Sequence, residues 1–323
     1  MSGGATVRMS RAGQRGMALA ELMVAMTLAL VLTVFACAWV IGANTGYVMQ
    51  GEAARLDDGA RFALASIGRA VRQGAFVDFD SGQAATPLAR LAGPAITGAD
   101  AHALGLGGDG MAPLLADQVN GSDVLAVRFD GTGPGAHGDG SILDCAGFGV
   151  GAAASGHARA WSIFYVAKGA DGEAELRCKY RGAQGWRVDA LVRGVDTFQV
   201  LYGLDTDEPA DGLANTYVTA NAIDLLDAAL VLNGSGAPER ARERDLRSHW
   251  RRVTGVHVAL LLHGGQRTDT GKQDPVDVFG AAYQNGADRG THLAPADLAP
   301  RLRDRVRLLV DANFSLRNNA RQE

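Results

Sequence analysis

One carboxylate stands alone in a long apolar run. Glu21 is the only charged residue between Arg15 and Glu52. A carboxylate in hydrocarbon is costly and usually has a partner, so Glu21 points to a specific ionic contact. Two other groups could do chemistry. Asp205, Asp207 and Asp211 gather in "GLDTDEPADG", the kind of oxygen cluster calcium favours. Their spacing does not match an EF-hand loop, and an ordinary solvated turn is the better reading, because Asp and Gly readily populate turns. Cys145 and Cys178 flank "AWSIFYVA". Two cysteines in an exported body point to a disulfide rather than a metal site, with two separate buried thiols as the alternative. Cys37, inside the apolar run, reads as an inert membrane residue.

Enzyme signals are weak. "GLGGDG" (105–110) and "GPGAHG" (133–138) satisfy GxGxxG, but neither leads from a clear strand into a helix, and 43 glycines make chance matches common. "GGQRTDTGKQ" departs from a phosphate loop, with its first glycine misplaced and Gln273 where Ser or Thr belongs. His257 and His263 are six apart on one expected strand, about 20 Å if extended, too far for a shared metal. No cofactor and no catalysis are expected. A net charge of −4 gives no basic excess for nucleic acid.

The elements around these residues are legible. Leu22 to Ala43 has neither charge nor proline. As a helix rising about 1.5 Å per residue it spans a bilayer core of roughly 30 Å. Arg8, Arg11 and Arg15 precede it, which puts the N-terminus in the cytoplasm and the body outside. No Ala-x-Ala cleavage site closes the run, unlike an ordinary secretory signal. A helical rhythm continues through Leu56, Ala60, Leu64, Ile67 and Val71, opposite Arg55, Asp58, Arg61, Arg69 and Arg72. This predicts one helix from Met17 to about Val77, amphipathic in its second half. Gly42, Gly46 and Gly51 predict bending or local melting near residues 42–51. Asp78 to Asn120 reads as an irregular connection with a short strand. Strand patterns follow in "SDVLAVRFD", "AWSIFYVA", "ELRCKY", "GWRVDALV", "DTFQVLYGL", "VTGVHVALLLH" and the alternating run Val306–Leu316. The continuously apolar "VTGVHVALLLH" reads as a central strand, and a short helix is expected within 233–247. One long helix followed by antiparallel strands is an α+β pattern.

A basic leader ending in Gly16, a hydrophobic Met17, Glu21 as the fifth residue from Met17, and a long apolar helix together resemble the class III signal of type IV prepilins and type II secretion pseudopilins. The resemblance implies cleavage after Gly16, methylation of the new N-terminus at Met17, and a role for Glu21 in assembly; Met17 stands where phenylalanine is usual. The physics fits: the α-ammonium of Met17 and the Glu21 carboxylate of a neighbour would each be stranded among packed apolar helices, and pairing satisfies both. Such a pair sets register more than affinity. The body resembles the PilW group of minor pilins at "ARLDDGARFALASIGRAVRQGAF", "NGSDVLAVRF", "DTFQVLYGLDTD", "VTGVHVALLLH" and "FSLRN".

That likeness implies a pilin-like fold, its long N-terminal helix packed on antiparallel sheet. It divides the chain into a leader (1–16), a transmembrane assembly helix (17–43), an amphipathic helix (44–78) and a periplasmic β-rich body (79–323). It also implies a low-abundance subunit that primes fibre assembly and sits at the tip. Its implied partners are the prepilin peptidase, other minor pilins, the major pilin, the inner-membrane assembly platform and a tip adhesin. A J-type pseudopilin of type II secretion is the nearest alternative. A signal-anchored periplasmic binding or enzymatic domain is a more distant one.

Overall fold

The computed structural model describes residues 17–78, 93–116, 119–153, 158–182, 184–267, 274–283 and 286–318. The leader, with Gly16, lies outside them, as do residues 79–92 of the expected connection and residues 268–273 of "GGQRTDTGKQ". The chain divides into two compact units, Met1–Glu52 and Ala53–Glu323.

Helix α1 (Met17–Gln73) runs through 42–51 without interruption, so the expected melting there does not occur. Three glycines cost at most about 1 kcal/mol each, and an apolar segment offers its backbone no partner better than the helix itself. The helix stops four residues short of the expected Val77. Ala75 takes a left-handed φ of 59°, and its N–H donates to Arg128 O at 3.1 Å instead of continuing the ladder.

In the second unit, the face of α1 bearing Leu56, Ala60, Ala63, Ile67, Ala70 and Val71 is buried. Small residues let the helix approach the strands closely. A Cβ on Gly68 would stand 2.5 Å from Phe314 Cε1, so only glycine fits that crossing. Arg55, Asp58, Arg61 and Arg72 are exposed, as their pattern predicts.

Two antiparallel sheets supply the rest of the core. The first has the order β1 (Ile96–Ala99), β4 (Val124–Phe129), β5 (Ala160–Lys168), β6 (Ala174–Gly182), β7 (Gly185–Arg193). The second has the order β13 (Arg305–Ser315), β10 (Val253–Arg267), β8 (Val195–Leu204), β9 (Thr216–Val218). Gly194 alone separates β7 from β8, with a φ of 76°. The long β10 is central, between β13 and β8, as its unbroken apolar run predicts. Phe198, Val200 and Tyr202 of β8 share the main core with α1. Every residue of β8 is buried. Thr197 and Gln199, on the other face, bond to Gly290 O and Gly121 O. On β13 the alternation is clean: Leu309, Asp311, Asn313 and Ser315 are exposed and the residues between them are partly buried.

Short pairs complete the unit: β2 (Ala103–Leu104) with β3 (Leu114–Leu115), and β11 (Val276–Asp277) with β12 (His292–Leu293). Helix α2 (Ala220–Ala228) starts at a Thr219 cap. Helix α3 (Ala237–Arg247) falls in the polar stretch where a short helix is expected. The fold is α+β, a long N-terminal helix with antiparallel sheets, consistent with the pilin arrangement.

Candidate functional site

Glu21 lies one helical turn beyond Met17, the first residue of α1. It is exposed, and so is every residue from Leu19 to Tyr47. Phe35 and Trp39 are 69% and 80% exposed, far too much apolar surface for water to solvate alone. The threonines in the run are satisfied locally. Thr27, Thr33 and Thr45 donate their hydroxyls to Val24 O, Ala29 O and Ile41 O at 2.7–2.9 Å. Their hydroxyls therefore need neither water nor a neighbour. Glu21 is the one charge left in this apolar surface. The helix is long and apolar enough to cross a membrane.

The body motifs have physical roles that spacing alone does not reveal. "NGSD" clasps the two sheets together. Asn120 Nδ2 donates to Asp196 O at 2.8 Å, and Gly121 O accepts from Gln199 Nε2 at 2.9 Å. Ser122 Oγ accepts from Phe198 N at 3.2 Å, and Asp123 Oδ2 from Val200 N at 2.9 Å. Asp123 also receives Ala101 N at 2.9 Å. Burial, and next the charge of Asp100, hold its carboxyl well above the usual range. At the C-terminal end, Asn318 of "FSLRN" donates to Arg72 O and Gly74 O at 3.1 and 3.4 Å. It caps carbonyls that the end of α1 leaves unpaired.

Cys145 and Cys178 form a disulfide with Cα atoms 5.8 Å apart. Cys178 is not at a strand end: it lies mid-strand, opposite Phe164 and Asp189. The bond therefore fastens the 130–153 loop to the interior of the first sheet. Asp205, Asp207 and Asp211 bring carboxylate oxygens within 4.8 Å of one another. The loop's own donors already use them. Asp207 N and Gly212 N bond to Asp205, Leu213 N to Asp211, and Asn215 Nδ2 to Asp207. Arg252 holds Asp205 O and Asp207 O at 2.7 and 3.1 Å. This is the geometry of a tied turn. His257 and His263 have separate partners: His257 Nε2 meets Asp311 at 2.8 Å, and His263 meets Asp196 and Glu173.

Residues 163–318 match the family described as type IV pilus-assembly protein W. Over that stretch, just under half of its length, the chain is similar to the PilW family. No curated protein and no solved structure matches it. That similarity supports a protein related to type IV pilus assembly, and the apolar helix could anchor it in a membrane. The PilW match runs from β5 through β13 to the Asn318 cap. Helix α1 and the "NGSD" clasp precede it.

Two constellations, the first inside the PilW match and the second at its edge, escape sequence reading. His263 lies 3% exposed between Asp196 on Nδ1, at 2.9 Å, and Glu173 on Nε2. Arg307 Nε completes the group on Asp196 Oδ2 at 2.8 Å. Burial pushes the imidazole pKa down, but the hydrogen bond and charge of Asp196, then of Glu173, outweigh it and hold the value above the ordinary 6.5. These four residues join the β5–β6 turn, β8, β10 and β13. Only the tertiary fold brings them together, so no local spacing announces them. The second constellation pairs Trp161 with Trp186 across the outer face of the first sheet, ring centroids 6.3 Å apart. Alternation places Trp161 on a face but gives no hint of Trp186 beside it.

Proposed function

We propose that this chain is a minor pilin. The reading rests on one combination: a body similar to the PilW family in the same chain as a helix whose residues 19–47 are exposed all round, mostly apolar, and uncharged apart from Glu21. An isolated anchor needs such a helix only to be greasy. A fibre subunit needs it also to present a charge that a neighbour can meet. Prepilin peptidase cuts after Gly16 and methylates Met17. The new α-ammonium pairs with Glu21 of an adjacent subunit. Before assembly, residues 17–43 cross the inner membrane, with the leader cytoplasmic and the body, 79–323, periplasmic. Residues 44–78 carry the helix into the body. The subunit is of low abundance, joins other minor pilins and the major pilin on the assembly platform, and sits at the fibre tip. The PilW match favours the pilus over a type II secretion system.

The test is the mass of the N-terminus of protein recovered from cells with and without the peptidase. A methylated Met17 terminus in the first and an intact leader in the second are expected. An intact leader in both refutes the reading. Glu21→Ala should insert and be cleaved normally yet fail to support piliation, since breaking a buried pair costs about 3–5 kcal/mol. Full piliation with that variant would remove the pairing role.

A further inference from the structure

A cleft of about 450 Å³ opens on the face of the first sheet away from α1, lined by Asp109, Met111, Trp161, Arg181 and Trp186 among others. The strand register builds it. Arg128 pairs with Trp161 across β4 and β5, and Arg181 with Trp186 across β6 and β7. The β5–β6 register, Ser162 opposite Tyr180, sets Trp161 beside Arg181. One row across four strands therefore reads Arg128, Trp161, Arg181, Trp186. The loop between β2 and β3, which contains "GLGGDG", forms the other wall. It is fixed there by Lys179 Nζ on Gly105 O at 3.2 Å and by Trp186 Nε1 on Asp109 Oδ1 at 2.7 Å. The glycine motif is thus a cleft wall and leads to no helix.

The chemistry of the lining narrows the ligand. Two half-buried indoles inclined at 62° offer flat apolar faces. Arg181, the Trp161 indole N–H and the second oxygen of Asp109 have no hydrogen-bond partner among the described residues. A purely apolar ligand would leave these polar groups unmatched. A cation is disfavoured, because each indole already has one over its ring: Arg128 at 4.7 Å from Trp161 and Lys179 at 5.3 Å from Trp186. The inclined rings offer no parallel platform for successive nucleobases. A ring with apolar C–H faces and hydroxyl edges matches both kinds of surface. The exposed Arg181 guanidinium adds a fork for a carboxylate. We propose that this cleft binds a glycan ending in an acidic pyranose. Trp161 and Trp186 take the ring faces, Asp109 a hydroxyl, and Arg181 the carboxylate.

The test titrates the full chain in detergent with tri-galacturonic acid, and in parallel with neutral galactotriose, choline and a hexathymidylate. Binding is read by calorimetry and tryptophan fluorescence. Saturable binding of the uronate is expected, at least fivefold tighter than of the neutral sugar. Trp161→Ala should weaken it tenfold or more. Arg181→Gln, at an exposed position, should abolish the preference for the acid without shifting the melting temperature, and it keeps the test decisive if Trp161→Ala unfolds. The assignment is overturned by no saturable binding of the uronate, by equal binding of the two sugars, by uronate binding unchanged in both variants, or by tighter binding of choline or the oligonucleotide.

Discussion

The carboxylate of Asp123 accepts the backbone N–H of Val200 at 2.9 Å, from the start of one sheet to the middle of the other. With its second oxygen on Ala101 N, it satisfies two backbone donors at once, the first buried and the second partly buried. Asp123→Ala leaves both without an acceptor, at about 1–3 kcal/mol each. Equilibrium urea unfolding of the full chain in detergent should show that loss in the midpoint. Asp123→Asn, which keeps one acceptor oxygen, should lose about half as much. A wild-type midpoint in the alanine variant would show that the clasp does not hold the sheets.

His263 makes stability depend on pH. Its native pKa is raised above the ordinary 6.5, so between the two values the native state holds a proton the unfolded chain has released. The contribution is fully present below about pH 6.5 and is lost as pH rises through the native value. Unfolding free energy measured from pH 6 to 9 should fall across that interval. His263→Ala should flatten the decline and cost about 3–5 kcal/mol at pH 6, because Asp196 and Glu173 lose their shared buried cation.

The Cys145–Cys178 bond spans a sequence separation of 33. Chain-entropy arguments give such a cross-link about 3–4 kcal/mol. The double variant Cys145→Ser, Cys178→Ser should lower the urea midpoint by that equivalent. Reductant should do the same to the wild type and nothing to the variant. Cys37, outside this bond, should leave the midpoint unchanged when replaced by Ala.

Periodicity carried the sequence reading a long way. Leu56, Ala60, Ile67 and Val71 mark their helix face, and the alternation of β13 marks its strand, because each pattern repeats over enough residues to exceed chance. Helix α2 was missed for the opposite reason: it buries only Ala220 and Ile223, too few to show a period. The end of α1 was misplaced because Ala75 is turned by a carbonyl from Arg128, a contact no local pattern encodes. At the candidate sites the division is the same. Glu21 is conspicuous because its surroundings are uniformly apolar. The Trp161–Trp186 cleft and the His263 group are assembled by strand register and tertiary folding, so their members look unremarkable one by one.

The clasp at Asn120–Asp123 also sets a schedule. Asp123 leaves the ribosome 77 residues ahead of Val200, an interval of about 4–15 s at about 5–20 residues per second. For that time the clasp has no strand to hold, and the first sheet is itself completed by β7 (Gly185–Arg193) only just before Val200 emerges. Closure of the body is therefore tied to the arrival of β8, and a chain truncated before Val195 would carry the fastening without anything to fasten.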